Sequence, residues 1–420
     1  MSKKKNSNHK QKSRTAPSPV VHVAGKTTTR KEIEKQWMDA LRDKKTKNIF
    51  WLIVMVLLLV VSINTWRCRA DLSCRNMARC AGDTGSLSGH GENKARLSGS
   101  VYKSSAFIGT DFGGMGIAVL TDSCFSIYNG SLKQVKSNPH FMASPAMRVS
   151  GQYALVYDTG GKSLVLESLS ETILSVNGSH FEEMVGGPAA CGAVSRSGDF
   201  AVSTNTSDQI STVSVFSPAG KLLYRWGAAE FYVTNLALSP NGNHLAVAGI
   251  NARDGKYLTT VTVLRVGYEQ AFCRIELPDF EPIALGYVKS GYLFVVGDQE
   301  SYVIDPGDFN PKKIETGTLS SYSFDYDSGA AFYAQISDKE GLLTVYDTIG
   351  GKRFEKNVGI RAADIALSNG KTAVLGSGNA AFFSPVGSAL PAREIPHGCR
   401  AILLRGSNVY LIHNTEIARI

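Results

Sequence analysis

The chain lacks the short motifs that mark many hydrolases and metalloenzymes. It contains neither a His-Glu-x-x-His zinc motif nor a Gly-x-Ser-x-Gly nucleophile motif, and nothing else in it predicts a catalytic residue, a metal ligand or a cofactor-binding residue. Proline is scarce, with 14 residues in 420, and the 41 glycines follow no three-residue period. This composition excludes collagen and argues against a low-complexity disordered chain, so most of the sequence is able to form a buried core.

Acidic residues are scarce at the N-terminus, and this imbalance accounts for the whole net charge of +9. Residues 1–48 contain 14 Lys and Arg against 4 Asp and Glu, whereas residues 81–420 contain 27 basic and 31 acidic residues. The larger part of the chain is therefore weakly acidic. We expect no nucleic-acid binding by it, because such proteins carry a basic surface.

The basic N-terminal region divides into two segments. Residues 1–28 are polar and charged, and we interpret them as a disordered cytoplasmic tail because they have too little apolar surface to fold. From Thr29 a capping-box spacing leads into Ile33, Trp37 and Leu41 at helical intervals, which predicts an amphipathic basic helix over 29–48. This helix either lies on an anionic membrane or a partner, or is a solvated segment whose charges only fix topology.

Residues 49–66 begin with thirteen consecutive apolar residues and have Trp51 and Trp66 near their ends. Their helical length of about 27 Å is just sufficient for a bilayer core. The preceding region is too long for an ordinary signal peptide, so we predict an uncleaved transmembrane anchor in the cell membrane. Lys and Arg are more numerous before the segment than after it, which favours a single-pass protein with a cytoplasmic N-terminus and an extracytoplasmic C-terminal region.

Residues 67–96 read as a linker without sustained periodicity. They contain Cys68, Cys74 and Cys80 at a spacing that matches no common zinc pattern. These three are able to form disulfides in an oxidising compartment, and the sequence leaves their state open. The remaining four cysteines lie in apolar stretches and are interpreted as buried free thiols: Cys124, Cys191, Cys273 and Cys399.

One phrase recurs from residue 97 to the end of the chain, consisting of an apolar strand, a turn with glycine and a second apolar strand. One or two further β-rich runs follow each copy, and the turn glycines are 36–49 residues apart. Glycine suits these turns because they require positive φ. The eight turn glycines are Gly114, Gly151, Gly198, Gly242, Gly291, Gly329, Gly370 and Gly406.

About four strands in each repeat of about 40 residues is typical of β-propeller blades. We therefore predict an all-β fold over 97–420 with about eight four-stranded blades, and seven if the first or last unit is only a cap. The last copy has room for three strands, so the ring needs a strand from the other end of the chain. Residues 97–103 are the candidate for this strand.

The repeats also resemble known families. The phrase Leu238-Ser-Pro-Asn-Gly-Asn-His-Leu-Ala-Val is similar to the strand–turn–strand unit of WD40-like and TolB-like propellers. The turn Tyr346-Asp-Thr-Ile-Gly-Gly-Lys is similar to that of quinoprotein-like (PQQ-like) repeats. The full layout of basic tail, single span and propeller resembles an uncharacterised bacterial family of unknown function. Only Trp226 lies in the repeats, so the resemblance implies the fold and does not imply quinone binding.

Two segments look like functional loops but are better explained as turns. Residues 160–163, Gly-Gly-Lys-Ser, lack the earlier glycine of a phosphate-binding loop and precede a strand. Residues 325–329 resemble the start of a calcium loop but lack its final glutamate and align with the other blade turns. The eight histidines show no metal-ligand spacing.

Two functions from different classes remain. The first is a non-enzymatic, membrane-anchored interaction scaffold at the cell envelope, with a protein partner on one face of the propeller. Blade loops of unequal length, such as residues 250–256, support it. The alternative is an extracytoplasmic ligand-binding protein or enzyme with a site in the central channel, which convergence of several His, Asp or Glu side chains there would favour.

Overall fold

The computed structural model describes residues 21–23, 26–28, 93–101, 108–112, 116–205, 209–253 and 255–420. The chain divides into two compact units, Met1–His90 and Gly91–Ile420. In the first unit the structure describes one antiparallel hairpin, β1 (Val21–Val23) with β2 (Lys26–Thr28). This hairpin lies inside the segment that we interpreted as a disordered tail. Two strands of this length are marginally stable by themselves.

The second unit is an eight-bladed β-propeller, as the repeats predict. Each blade is a four-stranded antiparallel sheet. The strands of blades 1–4 are β4–β7 (Ile108–Phe112, Gly116–Leu120, Cys124–Asn129, Gln134–Pro139), β8–β11 (Pro145–Ser150, Tyr153–Asp158, Ser163–Ser168, Thr172–Asn177), β12–β15 (Ala189–Val194, Phe200–Thr204, Ser211–Phe216, Leu222–Ala228) and β16–β19 (Tyr232–Leu238, His244–Arg253, Lys256–Arg265, Ala271–Pro278). Those of blades 5–8 are β20–β23 (Pro282–Tyr287, Leu293–Gly297, Glu300–Ile304, Pro311–Glu315), β24–β27 (Leu319–Asp325, Gly329–Gln335, Gly341–Tyr346, Lys352–Val358), β28–β31 (Asp364–Ser368, Lys371–Leu375, Asn379–Phe383, Ala389–Glu394) and β32–β34 (Ala401–Arg405, Asn408–Ile412, Glu416–Arg419) with β3 (Asn93–Arg96).

The recurring glycines lie where the repeat pattern places them, at the turn between the first and second strands of each blade. All seven of these glycines among the described residues have positive φ, from 57° at Gly151 to 111° at Gly329. Gly114, the first copy, falls outside the described residues. The prediction that glycine is needed for these turns is confirmed for the seven, because the left-handed region is costly for other residues.

The hydrophobic core is a ring of eight clusters, each lying between two neighbouring blades. A blade therefore buries both faces of its sheet. This is why the inner strands read as continuous apolar runs instead of alternating apolar and polar residues. In Gly116–Leu120 and Phe200–Thr204, for example, every residue is buried.

The ring closes through β3, which pairs antiparallel with β34 and supplies the fourth strand of blade 8. The closing strand is thus Asn93–Arg96 and not residues 97–103, so the propeller starts at least four residues earlier than predicted and the linker is shorter. Only Ala95 of this strand packs on the core between blades 8 and 1. Because this strand places a single apolar residue on the core, its sequence has no apolar run, and the position of the closing strand was therefore predicted wrongly.

The described part of the propeller contains one short helix, α1 (Gly178–Val185), between blades 2 and 3. Phe181 and Val185 are its buried residues, one turn apart, and Gly186 ends it in the left-handed conformation. The sequence does not predict this helix, because two apolar residues do not make a recognisable helical period.

Several predictions fall outside the described residues: the helix over 29–48, the transmembrane segment over 49–66, and the linker cysteines Cys68, Cys74 and Cys80. Within the described residues, none of the helices has the length and apolar character needed to cross a bilayer.

Candidate functional site: the central channel

The first strand of each blade lies innermost and contacts the first strands of neighbouring blades. These strands run in one direction around the axis. At their starts, Asp364 of blade 7 accepts hydrogen bonds from Ser321 of blade 6 and the backbone amide of Ile402 in blade 8. At their ends, Asp325 of blade 6 accepts one from the amide of Asn369 in blade 7. We call the two sides of the propeller the strand-start face and the strand-end face.

A cavity of about 590 Å³ lies between these inner strands and is lined by blades 2–8. The side chains of β4 in blade 1 are outside the described residues. Three tyrosines, three arginines and three aspartates line the cavity together with aliphatic residues. Its volume is in the range of small-molecule sites, so the charged groups that line it are candidates for ligand binding.

Asp364, the first residue of β28, is the buried carboxyl group of the channel, with 8% of its surface exposed. One carboxylate oxygen accepts a hydrogen bond from the Ile402 amide at 3.0 Å, and the other accepts one from the Ser321 hydroxyl at 3.4 Å. Burial raises the pKa of Asp364 from 3.8 to about 7, against the opposing effect of these hydrogen bonds. The group therefore changes its charge near neutral pH.

Asp325 and Asp327 lie at the strand-end mouth and serve the fold. Asp325 accepts hydrogen bonds from the amides of Asp327 and Ser328 at 2.9 and 2.8 Å, and from the amide of Asn369 in blade 7 at 3.0 Å. Asp327 forms an ion pair of 2.9 Å with Lys289 of blade 5. Residues 325–329 are thus a turn between β24 and β25 that also links blades, as the alignment of turns predicts.

Arg148 and Arg405 belong to blades 2 and 8, the two blades that flank blade 1. Arg148 lies in β8, and its Nη1 donates a hydrogen bond to the carbonyl of the preceding residue, Met147, at 3.1 Å. Arg405 ends β32 of blade 8, and its Nη1 is fully buried without a hydrogen-bond partner among the described residues. Among the described residues neither guanidinium forms an ion pair with a carboxylate.

Two interactions link side chains on different sides of the channel, one electrostatic and one a direct cation–π contact. Burial raises the pKa of Tyr322 in blade 6, and the positive charge of Arg148 in blade 2, the blade opposite, partly offsets that rise. At the strand-end mouth, the guanidinium carbon of Arg196 lies 4.0 Å from the ring centroid of Tyr326. This cation–π contact joins blade 3 to blade 6 and narrows that mouth.

The histidines do not converge on the channel, since none of the described lining residues is a histidine. Across the described part of the chain, no group of three His, Cys, Asp or Glu is arranged to hold a metal ion. One Cys–His contact does occur on the strand-start side of blade 8, where Cys399 Sγ lies 3.3 Å from His413 Nε2. The sequence gives no sign of this pair, because 14 residues and a β-hairpin separate its members.

The four propeller cysteines are free thiols, as predicted, but only Cys124 and Cys191 are buried, while Cys273 and Cys399 are half-buried. Burial raises the pKa of the Cys191 thiol to about 11. Cys191 is therefore an unreactive core residue at neutral pH.

Blade 4 departs from the other blades at the strand-start face. Its strands β17 and β18 have ten residues each, against four to seven in the equivalent strands of the other blades. The extra residues extend the hairpin past the end of β16, whose pairing stops at Tyr232 opposite Ile250. The hairpin covers residues 250–256, the loop that the sequence analysis selected.

Aromatic side chains are exposed on and beside this hairpin. Tyr257 is 69% exposed and Tyr232 is 58% exposed. The register places them on the same side of the blade 4 sheet, because Tyr232 lies opposite Ile250 and Tyr257 lies opposite Ala252, two residues further. Ile283, at the start of blade 5, is 37% exposed. We call Tyr232, Tyr257 and Ile283 the blade 4 patch.

Residues 160–163 form the turn between β9 and β10, as predicted, with Gly160 at φ 77° and the amide of Gly161 donating to the carbonyl of Asp158.

The sequence did not predict the channel residues Arg148, Arg405 and Asp364. Each is a lone charge within an apolar inner strand, and that local contrast is the only signal that could have selected them.

The architecture defines the protein as an eight-bladed β-propeller with four-stranded blades. Solved structures that it resembles include the C-terminal WD40 domain of Sif2 (TM-score 0.53, 11% identity, 80% of this chain and 99% of that one) and Saccharomyces cerevisiae Sqt1 (TM-score 0.52, 12% identity, 78% and 98%). BamB from Moraxella catarrhalis resembles it less closely in shape (TM-score 0.48, 13% identity, 78% and 97%). At such identities the likeness concerns the fold alone.

The chain belongs to the family of unknown function DUF5711, which matches residues 96–420. None of the curated proteins matches it.

Proposed function

We propose that this protein is a membrane-anchored, extracytoplasmic scaffold that binds a protein partner at the cell envelope through the strand-start face of its propeller and does not act as an enzyme. The observation that carries the proposal is the blade 4 patch, in which two exposed tyrosines accompany a hairpin found on this blade alone among the described blades. Propellers with WD40-like architecture, to which the fold is similar, lend support.

The chemistry of the patch suits a protein partner. Tyrosine combines a large apolar ring with a hydroxyl group, and it is among the residues most often found at the energetic centre of protein interfaces. Around the two rings lie charged groups of both signs, including the ion pairs Lys256–Asp279 at 3.3 Å and Arg274–Glu230. An apolar centre with a polar rim is the usual anatomy of such an interface.

The membrane part of the proposal rests on the sequence. Residues 49–66 are apolar and free of charge, and the positive charges concentrate before them. A span of this kind would hold the propeller at the outer side of the membrane. Protease treatment of intact cells or spheroplasts tests it: residues 81–420 should be degraded from outside, and their protection until the membrane is lysed would contradict this topology.

Photo-crosslinking in native membranes tests the partner. A crosslinker at position 257 should yield one dominant protein adduct, and Tyr232→Ala should reduce its yield by about tenfold, because truncating an interface tyrosine commonly costs more than 1 kcal/mol. The matched control is a crosslinker at Val386, an apolar residue that is 77% exposed between β30 and β31 on the strand-end face. The same adducts from both positions, or an adduct at 257 that Tyr232→Ala does not reduce, would refute a specific site at blade 4.

A further inference from the structure

Arg148 and Arg405 both line the central cavity, and among the described residues neither forms an ion pair with a carboxylate. Arg148 and Arg405 come from blades 2 and 8, so that a single blade separates them. Their only side-chain hydrogen bond among the described residues is the one from Arg148 to the carbonyl of Met147. A guanidinium placed in a cavity without a carboxylate partner retains most of its capacity to bind an anion.

The carboxylates that line the cavity do not neutralise these arginines. Asp325 is committed to three backbone amides, and Asp327 is paired with Lys289. Asp364 carries less than a full negative charge near neutral pH, since burial raises its pKa to about 7. The field inside the cavity therefore favours negatively charged molecules.

Three buried polar atoms in the lining have no hydrogen-bond partner among the described residues: Arg405 Nη1, Asn235 Oδ1 and the Tyr287 hydroxyl in blade 5. The first two set further requirements on a ligand. Nη1 of Arg405 is a donor without an acceptor. In blade 4, directly opposite blade 8, Asn235 donates through Nδ2 to the carbonyl of Ile283 at 3.0 Å, but its Oδ1 is buried without a donor. Buried polar atoms without partners are uncommon, and each calls for an explanation.

We propose that the cavity binds a small hydroxylated organic anion. Arg148 and Arg405 hold its carboxylate or phosphate group, and Asn235 Oδ1 accepts a hydrogen bond from one of its hydroxyl groups on the other side of the channel. This binding site shares Ile283 with the blade 4 patch but does not involve Tyr232 or Tyr257, so either site can fail without the other.

The dimensions agree with this class of ligand. A volume of about 590 Å³ accommodates a single sugar acid or sugar phosphate with some water but not a polymer. Tyr322 and Phe324 line the cavity as well and offer ring surfaces against which a sugar ring can pack.

Calorimetric titration of the purified full-length chain in detergent tests the proposal with three probes. Glucuronate carries a carboxylate and glucose 1-phosphate carries a phosphate on a similar sugar, so the probe that binds identifies the anionic group that the cavity prefers. Glucose is the neutral control and should not bind. Arg148→Gln and Arg405→Gln should each weaken binding about tenfold or more, because hydrogen bonds to charged groups contribute strongly. Arg353→Gln, on an exposed arginine of the outer strand β27, should leave binding unchanged.

The Asn235→Ala variant separates the hydroxyl contact from the charge. It should weaken the sugar anion and leave the affinity for inorganic phosphate unchanged. Binding of glucose as tight as that of the anions would overturn the proposal. So would the absence of heat from both anions up to about 10 mM, a concentration at which even weak specific sites respond, or unchanged binding in the Arg148→Gln, Arg405→Gln double variant.

Thermal unfolding without any anion distinguishes ligand binding from a structural role. Since Arg405 has a buried donor without a partner, Arg405→Gln should melt at the same temperature as the wild type or higher. A clear fall in its melting temperature would show that Arg405 supports the fold, and would refute its assignment to the ligand.

Discussion

The stability of the propeller should fall with rising pH through Asp364, and Asp364→Asn should remove this contribution to the pH dependence. The folded chain holds the Asp364 proton up to a pKa of about 7, whereas a solvated aspartate has lost it above its ordinary value of 3.8. Between these two values the folded state binds more protons than the unfolded state. The free energy of unfolding therefore falls as the pH rises through this window, and is fully reduced above about pH 7.

The size of the effect follows from the pKa. Raising the pKa from 3.8 to about 7 corresponds to about 4 kcal/mol, at roughly 1.4 kcal/mol for each tenfold change in proton affinity. Unfolding entropy is about 2.1 cal/mol/K for each residue, and the propeller unit Gly91–Ile420 has about 330 residues. A loss of about 4 kcal/mol then lowers the melting temperature by roughly 6 °C.

The assay is thermal unfolding by circular dichroism at several values between pH 5 and pH 9. Asparagine is neutral at every pH, its carbonyl can still accept from the Ile402 amide, and its amide can donate to the Ser321 hydroxyl. Asp364→Asn should thus lie closest to the wild type at pH 5, the acidic end of this range, and melt several degrees above it at pH 8.5. Asp327→Asn, which alters the exposed pair with Lys289, is the control and should keep the wild-type slope. If Asp364→Asn and the wild type show the same pH dependence, burial of this carboxyl group is not what governs it.

Two further predictions concern how the ring is held together. A chain that begins at residue 97 and so lacks β3 (Asn93–Arg96) should melt at a lower temperature and aggregate, because the edge of β34 is left unpaired. A chain that begins at residue 91 is the control and should keep the wild-type melting temperature. Equal melting temperatures of the two shortened chains would contradict ring closure by β3. Gly329→Ala should destabilise the protein by about 2–4 kcal/mol in urea titrations, because φ is 111° and the new methyl carbon would lie 2.2 Å from the carbonyl oxygen of Tyr346. Gly160→Ala has open space around it at φ 77° and should cost only about 1 kcal/mol; a cost as large as that of Gly329→Ala would show that the crowding is not the cause.

The blades could be predicted from the sequence because a blade is a local structure. Its turn glycine, such as Gly198 or Gly242, lies within a few residues of the strands that it joins. Burial of both sheet faces produces continuous apolar runs that a short window detects. The prediction of eight repeats required only that these local signals be counted.

The closing strand and the channel could not be predicted in the same way, because they depend on contacts between distant parts of the chain. Asn93–Arg96 pairs with Glu416–Arg419, more than 300 residues later. Arg148 and Arg405 line the same cavity only because the ring brings blades 2 and 8 to either side of blade 1. The sequence criterion for a channel site was a convergence of His, Asp and Glu, whereas the structure places arginines there, and the carboxylates are largely committed to backbone amides and a lysine.

The distribution of unfavourable groups also bears on function. Eight interfaces between blades stabilise the ring, and they are almost entirely apolar. Against this background, a carboxyl group that resists ionisation at Asp364 and an unpartnered donor at Arg405 are exceptions that lower stability, although Asp364 also links blades 6, 7 and 8 through its hydrogen bonds. Both are on neighbouring inner strands and line the same cavity. Departures from the apolar rule that cluster at one concave site are the physical signature of a binding site, because a ligand can supply the partners that the fold withholds.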